Sequence, residues 1–343
     1  MTDYALVGGR LHTHLIDSTA DLAALDSHGN WIVVIPYEGE AVCARFASVT
    51  SADSLDSPPV PGAWSGVPLE SWTSSLDRES FMEGVERIRS EIAAGNVYQV
   101  NLTRRLSAPL PDHSDIGGLA QILRLENPAP HQAVVSLPEL GIHIASASPE
   151  RFIERRGSLI RSSPIKGTAA TATGFLPKDT AENVMIVDLV RNDLGRICEW
   201  GSVDVSELLA VESHPGVHHM VSTIEGNLRS SNGWAEIIDA AFPAGSITGA
   251  PKLASLDLIS ALEPTPRGVY CGAIGWVDAD RKLGDLNVAI RTFWIENNRL
   301  NFGTGGGITF DSSPSGEWEE TQLKAARLLS AASQTTTLPG QGE

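Results

Sequence analysis

The chain has 343 residues, of which 42% are hydrophobic and 20% charged, so it can bury the core of one large or two ordinary globular domains. Its formal net charge of -17 argues against nucleic acid and anionic membranes as partners. An anionic small molecule would have to be held by local positive charge.

Cysteine usage indicates a reducing compartment. Cys43, Cys198 and Cys271 are odd in number, far apart and without a C-x-x-C pair, which favours free thiols. The N-terminus lacks a basic region followed by an apolar one, and no apolar run approaches membrane length. We therefore expect a cytoplasmic protein.

The first part of the chain predicts a short β region. Residues 1–74 contain short strands and turns, and the stretch 50–67, rich in Ser, Pro and Gly, predicts a linker. A second domain is expected over residues 75–333, followed by a disordered tail over 334–343.

The second domain begins with alternating helices and strands. Apolar residues at helical spacing after Asp77 predict a helix that ends near Gly95, and residues 97–106 alternate as a strand. A helix near residues 116–125 is followed by four strands between Ala133 and Ser162. The next helix starts near Asp179.

The remaining elements are predicted in the same way. Strands are expected at 201–211, 217–228, 268–277 and 286–296, and a further strand from Arg299 leads into a glycine-rich turn. A helix over 234–241 precedes one that Thr248 could cap, and the last helix covers 317–332. The class is therefore α+β, with large antiparallel sheets packed face to face and helices around them.

One lysine stands out by its setting. Pro164 stiffens the approach to Lys166, and Gly167 lets the backbone come close to a ligand, so Lys166 is predicted on a short, rigid connection. A nucleophilic lysine needs surroundings that favour its neutral amine. From the local sequence alone, Lys166 could equally be a surface lysine in a polar turn.

Carboxylates without histidine or cysteine partners suggest Mg²⁺. Glu182 lies on one predicted helix, while Glu317, Glu320 and Lys324 share a face of the last helix at i, i+3 and i+7. A solvated face with an ion pair explains the second group equally well. The glycine-rich stretches 245–252 and 303–307 lack nucleotide-binding spacing and are open to reading as anion-binding or tight turns.

Six blocks of residues resemble, in order, the chorismate-utilising enzyme family. They are AGNVYQVNLT (94–103), SPERF (148–152), PIKGT (164–168), and the segments 182–196, 242–252 and 267–332. The resemblance covers roughly residues 77–332. It implies an anthranilate synthase component I-like fold and makes 75–333 a chorismate-binding catalytic domain.

Within that family, a lysine in the PIKGT block makes this chain resemble the aminodeoxychorismate synthase component I branch. Anthranilate synthases usually carry alanine where this chain has Lys166. Isochorismate and salicylate synthases carry a small residue there and a general-base lysine at the position of Gln99. The runner-up is therefore anthranilate synthase component I, and a non-catalytic chorismate-binding subunit is the alternative that is not an enzyme.

The resemblance implies roles for individual residues. Glu182 and Glu320 bind Mg²⁺, with Glu317 assisting through water, and the ion acts as a Lewis acid on the substrate. Glu150 is the general acid with a raised pKa, and Lys166 is the nucleophile. The expected substrate-binding residues are Arg291, Tyr270, Gly167, Thr168, Gly305, Gly306, Gly307, Lys324 and Gln99.

The implied reaction is the amination of chorismate at C4. Lys166 attacks C2 and expels the C4 hydroxyl, and ammonia then enters at C4 and displaces the lysine, giving 4-amino-4-deoxychorismate for 4-aminobenzoate and folate synthesis. A glutamine amidotransferase is expected as a separate partner. His219 matches a family histidine lining the site, and its role stays open. The short N-terminal region makes a regulatory tryptophan pocket doubtful.

Overall fold

The structure is a computed structural model that describes residues 3–52, 62–169, 171, 173–175, 177–214 and 217–335. Six α-helices are described. They are α1 (Arg78–Ala93), α2 (Ile116–Glu126), α3 (Pro177–Gly195), α4 (Trp234–Ala241), α5 (Lys252–Leu262) and α6 (Pro314–Ala332).

Eighteen strands are described within the same residues. They are β1 (Tyr4–Val7), β2 (Arg10–Thr19), β3 (Asn30–Ile35), β4 (Val42–Ser51), β5 (Thr73–Ser74), β6 (Gln99–Pro109), β7 (His131–Leu137), β8 (Ile142–Ser148), β9 (Arg151–Arg156), β10 (Leu159–Ser163), β11 (Ile165–Ala169), β12 (Asp204–His214), β13 (Val217–Asn227), β14 (Gly249–Ala250), β15 (Ala273–Asp278), β16 (Leu283–Val288), β17 (Thr292–Glu296) and β18 (Arg299–Ile308). The predicted α+β class is confirmed.

The strands pair antiparallel in one continuous, curled path. From β13, which pairs with both β11 and β12, the path runs through β10, β9, β16, β15, β3, β4, β2 and β1. It continues through β7, β8, β17, β18 and β6, with β5 and β14 beside β6. Lys166 on β11 nevertheless lies beside Gly307 on β18, so the two ends of the path approach each other.

Helices cover the sheet through apolar faces. Phe81 of α1 and Ile259 of α5 pack in one buried cluster with Leu102 of β6, while Leu119 of α2 and Leu328 of α6 belong to a second. Burying a side chain of this size contributes roughly 1.5–3 kcal/mol, so this packing is a main support of α6. The predicted last helix is confirmed.

The N-terminal strands extend the same sheet. β1 pairs with β7, and β3 pairs with β15. Half of the predicted linker, residues 53–61, and most of the predicted disordered tail, residues 336–343, lie outside the described residues. Across the described part of the chain, no helix combines the length and apolar character needed to cross a membrane.

Several local predictions are wrong. Residues 165–169 form a strand instead of a connection, and residues 303–307 lie within β18 instead of a turn. The predicted strand 286–296 is interrupted before Thr292, where Arg291 has a φ of 52°. The Thr248 hydroxyl donates to Ala244 O and does not cap α5. Gly and Pro in residues 164–167 and 303–307 predict a break in the strand, but pairing with β13 and β6 keeps these segments extended.

Candidate active site

Lys166 lies on β11 with its side chain largely buried. The side chain is 12% exposed, and its Nζ lies 3.8 Å from Glu182 Oε2 on α3. The next residue, Gly167, has a φ of 84°, which favours glycine, and a Cβ there would lie 2.9 Å from Asp179 Cβ. The strand and the packed glycine therefore hold the lysine in a defined position.

Gln99 and Gly307 lie beside Lys166 on the facing strands. A Cβ built on Gly307 would lie 2.0 Å from Gln99 Nε2 and 3.5 Å from Lys166 Nζ. Gln99 is 2% exposed, and its Oε1 has no hydrogen-bond partner among the described residues. The side chains of Gln99 and Lys166 come so close to the backbone at residue 307 that only glycine leaves room for both.

Glu150 is a buried acid on which the charge of this lysine acts. It follows β8 and is 4% exposed. Burial raises the pKa of Glu150 from 4.5 to about 7. The rise is limited by the nearby Ser246 hydroxyl and Ile165 N–H and by the positive charges of Lys166 and Arg291. A carboxyl with this pKa is protonated in a large fraction of molecules at neutral pH and can donate a proton.

Carboxylates of α6 lie over the glycine-rich part of β18. A Cβ on Gly306 would be 3.2 Å from Glu317 Oε2, 3.6 Å from Glu320 Oε1 and 3.7 Å from Lys324 Nζ. Lys324 Nζ lies 2.6 Å from Glu320 Oε1 and donates to Gly305 O at 3.1 Å. The structure thus brings together the three predicted α6 residues and two of the three predicted glycines.

Glu317 has a hydroxyl partner that the sequence analysis missed. Ser312 Oγ donates to Glu317 Oε1 at 2.6 Å, and Glu317 is 7% exposed. Ser246, beside Glu150, was also missed as an individual residue, although it lies within the family block 242–252. The spacing of a serine five residues before a helix carboxylate is too common to have singled out Ser312.

The carboxylates fit Mg²⁺ by their chemistry. Glu182, Glu317 and Glu320 offer oxygen donors, which this hard ion prefers. Glu317 and Glu320 lie beside Gly306. Glu182 contacts Lys166, which lies beside Gly307. Among the described side chains, no three His, Cys, Asp or Glu form a cluster that could hold a metal ion. In the described arrangement, Lys166 forms an ion pair with Glu182, and Lys324 forms one with Glu320.

Arg291 and Tyr270 occupy two breaks in the sheet. Arg291 lies between β16 and β17 at a φ of 52°, and Cys271, next to Tyr270, has a φ of 64°. Cys271 N donates to Ala289 O at 2.9 Å, which joins the two breaks. The charge of Arg291 acts on Glu150, and the Tyr270 ring packs against Gly303; a clamp by both side chains stays a prediction.

The remaining predicted residues lie on β11 and β13. Thr168 is the backbone partner of His219, and its side chain lies outside the described part of the chain. His219 is 2% exposed and engaged in contacts. Behind Glu150, a cavity of about 20 Å³ is lined by Ser162, Asp193 and Ser246 among others, which is room for about one water molecule.

Comparison with known proteins shows two kinds of relative. Anthranilate synthase component 1 of Streptomyces coelicolor is 38% identical over 295 residues, which are 80% of this chain and 57% of that protein. Aminodeoxychorismate synthase component 1 of Bacillus subtilis is 35% identical over 330 residues, which are 92% of this chain and 65% of that protein. The chain therefore spans less than two thirds of the length of either relative.

A solved structure shares the fold. The crystal structure of anthranilate synthase component I from Streptococcus pneumoniae matches with a TM-score of 0.75 at 24% identity, covering 96% of this chain and 90% of the other. A family model described as chorismate binding enzyme matches residues 20–330. Because this match takes in most of the sequence and every element that builds the site, the chain belongs to the chorismate binding enzyme family.

Proposed function

We propose that this chain aminates chorismate at C4, as component 1 of an aminodeoxychorismate synthase, with ammonia supplied by a glutamine amidotransferase partner. The observation that carries the proposal is the position of Lys166. Its Nζ lies beside Gln99 and Gly307, and its charge acts on Glu150, a buried acid with a pKa of about 7. A candidate nucleophile and a candidate proton donor are therefore close enough to interact electrostatically.

The proposed chemistry uses these two residues in sequence. The neutral amine of Lys166 forms a bond to C2 of chorismate, both ring double bonds shift, and the C4–O bond breaks as Glu150 gives its proton to the departing hydroxyl, which leaves as water. Ammonia then forms a bond to C4, both double bonds shift back, and the C2–N bond breaks so that Lys166 leaves as the neutral amine. The proton released by the incoming nitrogen returns to the Glu150 carboxylate.

The other residues bind and orient the substrate. Arg291, near Glu150, offers a guanidinium to a substrate carboxylate. Glu182, Glu317 and Glu320 would hold Mg²⁺, and when bound the ion would neutralise a substrate carboxylate and compete with Lys166 for Glu182. Gln99 lacks the basic amine needed to activate water, so it favours an amine nucleophile over hydroxide.

Anthranilate synthase component 1 is the second candidate, because the Streptomyces coelicolor relative with that name is 38% identical. Both reactions start from chorismate, and they differ in the carbon that receives nitrogen. The test is a product assay with the purified chain, chorismate, Mg²⁺ and an ammonium salt at alkaline pH. Added aminodeoxychorismate lyase should yield 4-aminobenzoate.

Anthranilate, detected by its fluorescence, would contradict the proposal if it were the main product. Consumption of chorismate with no aminated product would contradict both candidates. A parallel reaction with glutamine in place of ammonium tests the partner, because the chain should use glutamine only when an amidotransferase is added.

A further inference from the structure

Arg104 is a buried guanidinium that the proposed chemistry does not use. It lies on β6 opposite Thr304 of β18 and is 3% exposed. Its guanidinium contacts three neutral acceptors: Nε donates to Thr321 Oγ1 at 3.0 Å, and the terminal nitrogens donate to Ser74 Oγ at 3.1 Å and to Gln322 Oε1 at 2.8 Å. Its Cζ also lies 4.4 Å from the ring centroid of Trp318.

The charge of Arg104 is costly where it lies. Burial lowers the pKa of Arg104 to about 10, so the side chain remains charged at neutral pH. Neutral acceptors and an aromatic face return less electrostatic energy than a carboxylate would. A role in holding particular neighbours therefore explains this residue better than a contribution to general stability.

Most of those neighbours are on α6. Thr321, Gln322 and Trp318 belong to that helix, and Thr304 Oγ1 donates to Thr321 O at 3.1 Å. The cross-strand pair of Arg104 and Thr304 thus holds Thr321 by both its hydroxyl and its carbonyl. Thr321 is held by two hydrogen bonds, and the guanidinium group of Arg104 also reaches Gln322. Together these contacts restrict both rotation of α6 about its axis and sliding along it.

The held residue is one turn from the site carboxylates. Thr321 follows Glu320 directly and lies four residues, about 6 Å along a helix axis, from Glu317. Thr304 and Gly306 share one face of β18 because they are two residues apart, and Gly306 lies under Glu317 and Glu320. The contacts at 304 and 321 therefore set which side chains of α6 lie over Gly306.

We propose that Arg104 is a positioning residue whose guanidinium fork fixes α6 so that Glu317 and Glu320 face the substrate pocket. Its effect on turnover rests on the proposed function, whereas its effect on α6 is a property of the chain by itself. A displacement of about 1 Å in a catalytic group can cost on the order of 100-fold in rate.

The test compares Arg104→Gln and Arg104→Lys with Arg105→Gln. Arg105 is the next residue on β6, and it contacts Asn301 and Glu296 instead of α6, which makes it a matched control. Amide hydrogen exchange of residues 317–324 should rise about tenfold or more in Arg104→Gln, with exchange in β7, β8 and β15 unchanged. Amination should lose kcat by about 10- to 100-fold with a smaller change in KM.

Arg104→Lys separates charge from geometry. A lysine keeps the charge but cannot span three acceptors, so we expect it to behave like Arg104→Gln. Wild-type exchange in Arg104→Lys would overturn the role of the fork, as would unchanged exchange at 317–324 in folded Arg104→Gln. If the Arg104 variants do not fold, Thr321→Val, which removes the Oγ1 acceptor of Arg104 together with that hydroxyl's hydrogen bond to Trp318 O, should show the same local change.

The two proposals can fail separately. If the wild-type chain makes no aminated product but exchange at 317–324 rises as expected, the proposed function is wrong and the positioning role stands. If amination is observed but α6 exchange and kcat do not respond to Arg104→Gln, the positioning role is wrong and the proposed function stands.

Discussion

Glu150 should make the folded chain less stable as the pH rises from about 4.5 to about 7. Burial raises its pKa from 4.5 to about 7 in the folded state. Between these values, the unfolded chain releases the proton while the folded chain keeps it, so the unfolded state binds fewer protons and the free energy of unfolding falls. Above the folded pKa, both states are ionised and the loss is complete.

The size of the effect follows from the shift. A rise from 4.5 to about 7 corresponds to about 3 kcal/mol. The variant Glu150→Gln keeps the shape but removes the titration, so it should match the wild type near pH 4 and exceed its stability by about 3 kcal/mol at pH 8. It should also lose about 10²- to 10⁴-fold in kcat, because the amide has no proton to give to the departing hydroxyl.

Urea unfolding of both chains at a series of pH values between 4 and 8 measures this difference. Glu139→Gln is the control, because Glu139 is exposed and its replacement should change stability by about 0.5 kcal/mol or less at any pH. The reasoning is refuted if Glu150→Gln is less stable than the wild type at pH 8, or if the two stability curves stay parallel.

Other predictions concern the pocket and its support. Lys166→Ala should abolish most amination while the unfolding midpoint stays near that of the wild type; near-normal turnover in the product assay would remove its nucleophilic role. Gly307→Ala should lower activity strongly because its Cβ would meet an amide nitrogen at 2.0 Å, whereas Gly195→Ala, with open space around its Cβ, should have wild-type kinetics. Arg267→Met should cost about 3–5 kcal/mol in urea unfolding, since Glu263, bound by two nitrogens at 2.7 and 2.8 Å, would stay buried without its positive partner and keep the Thr103 N–H as a donor; a smaller loss would show that solvent or this donor compensates its charge.

Helical periodicity was sufficient to predict the acidic face of α6. Glu317, Glu320 and Lys324 recur at i, i+3 and i+7, and all three lie over Gly306. The family resemblance gave roles to Lys166, Gln99 and Glu150; the structure places Lys166 and Gln99 beside Gly307, and the charge of Lys166 acts on Glu150. Neither source indicated that residues 303–307 continue a strand, because glycines are poor strand formers and only pairing with β6 holds them extended.

The sequence by itself determined the α+β class, the main helices, the family and the chemical types of the site residues, because these depend on local periodicity and on motifs. Tertiary structure alone decided the meeting of β11 with β18 around Lys166, the burial that raises the pKa of Glu150, and the contacts of Arg104 with α6. These features depend on residues that are distant in the sequence, such as Lys166 with Gly307 and Arg104 with Thr321, and local patterns carry no information about such contacts. The chemistry of the site was therefore predictable, and its geometry was not.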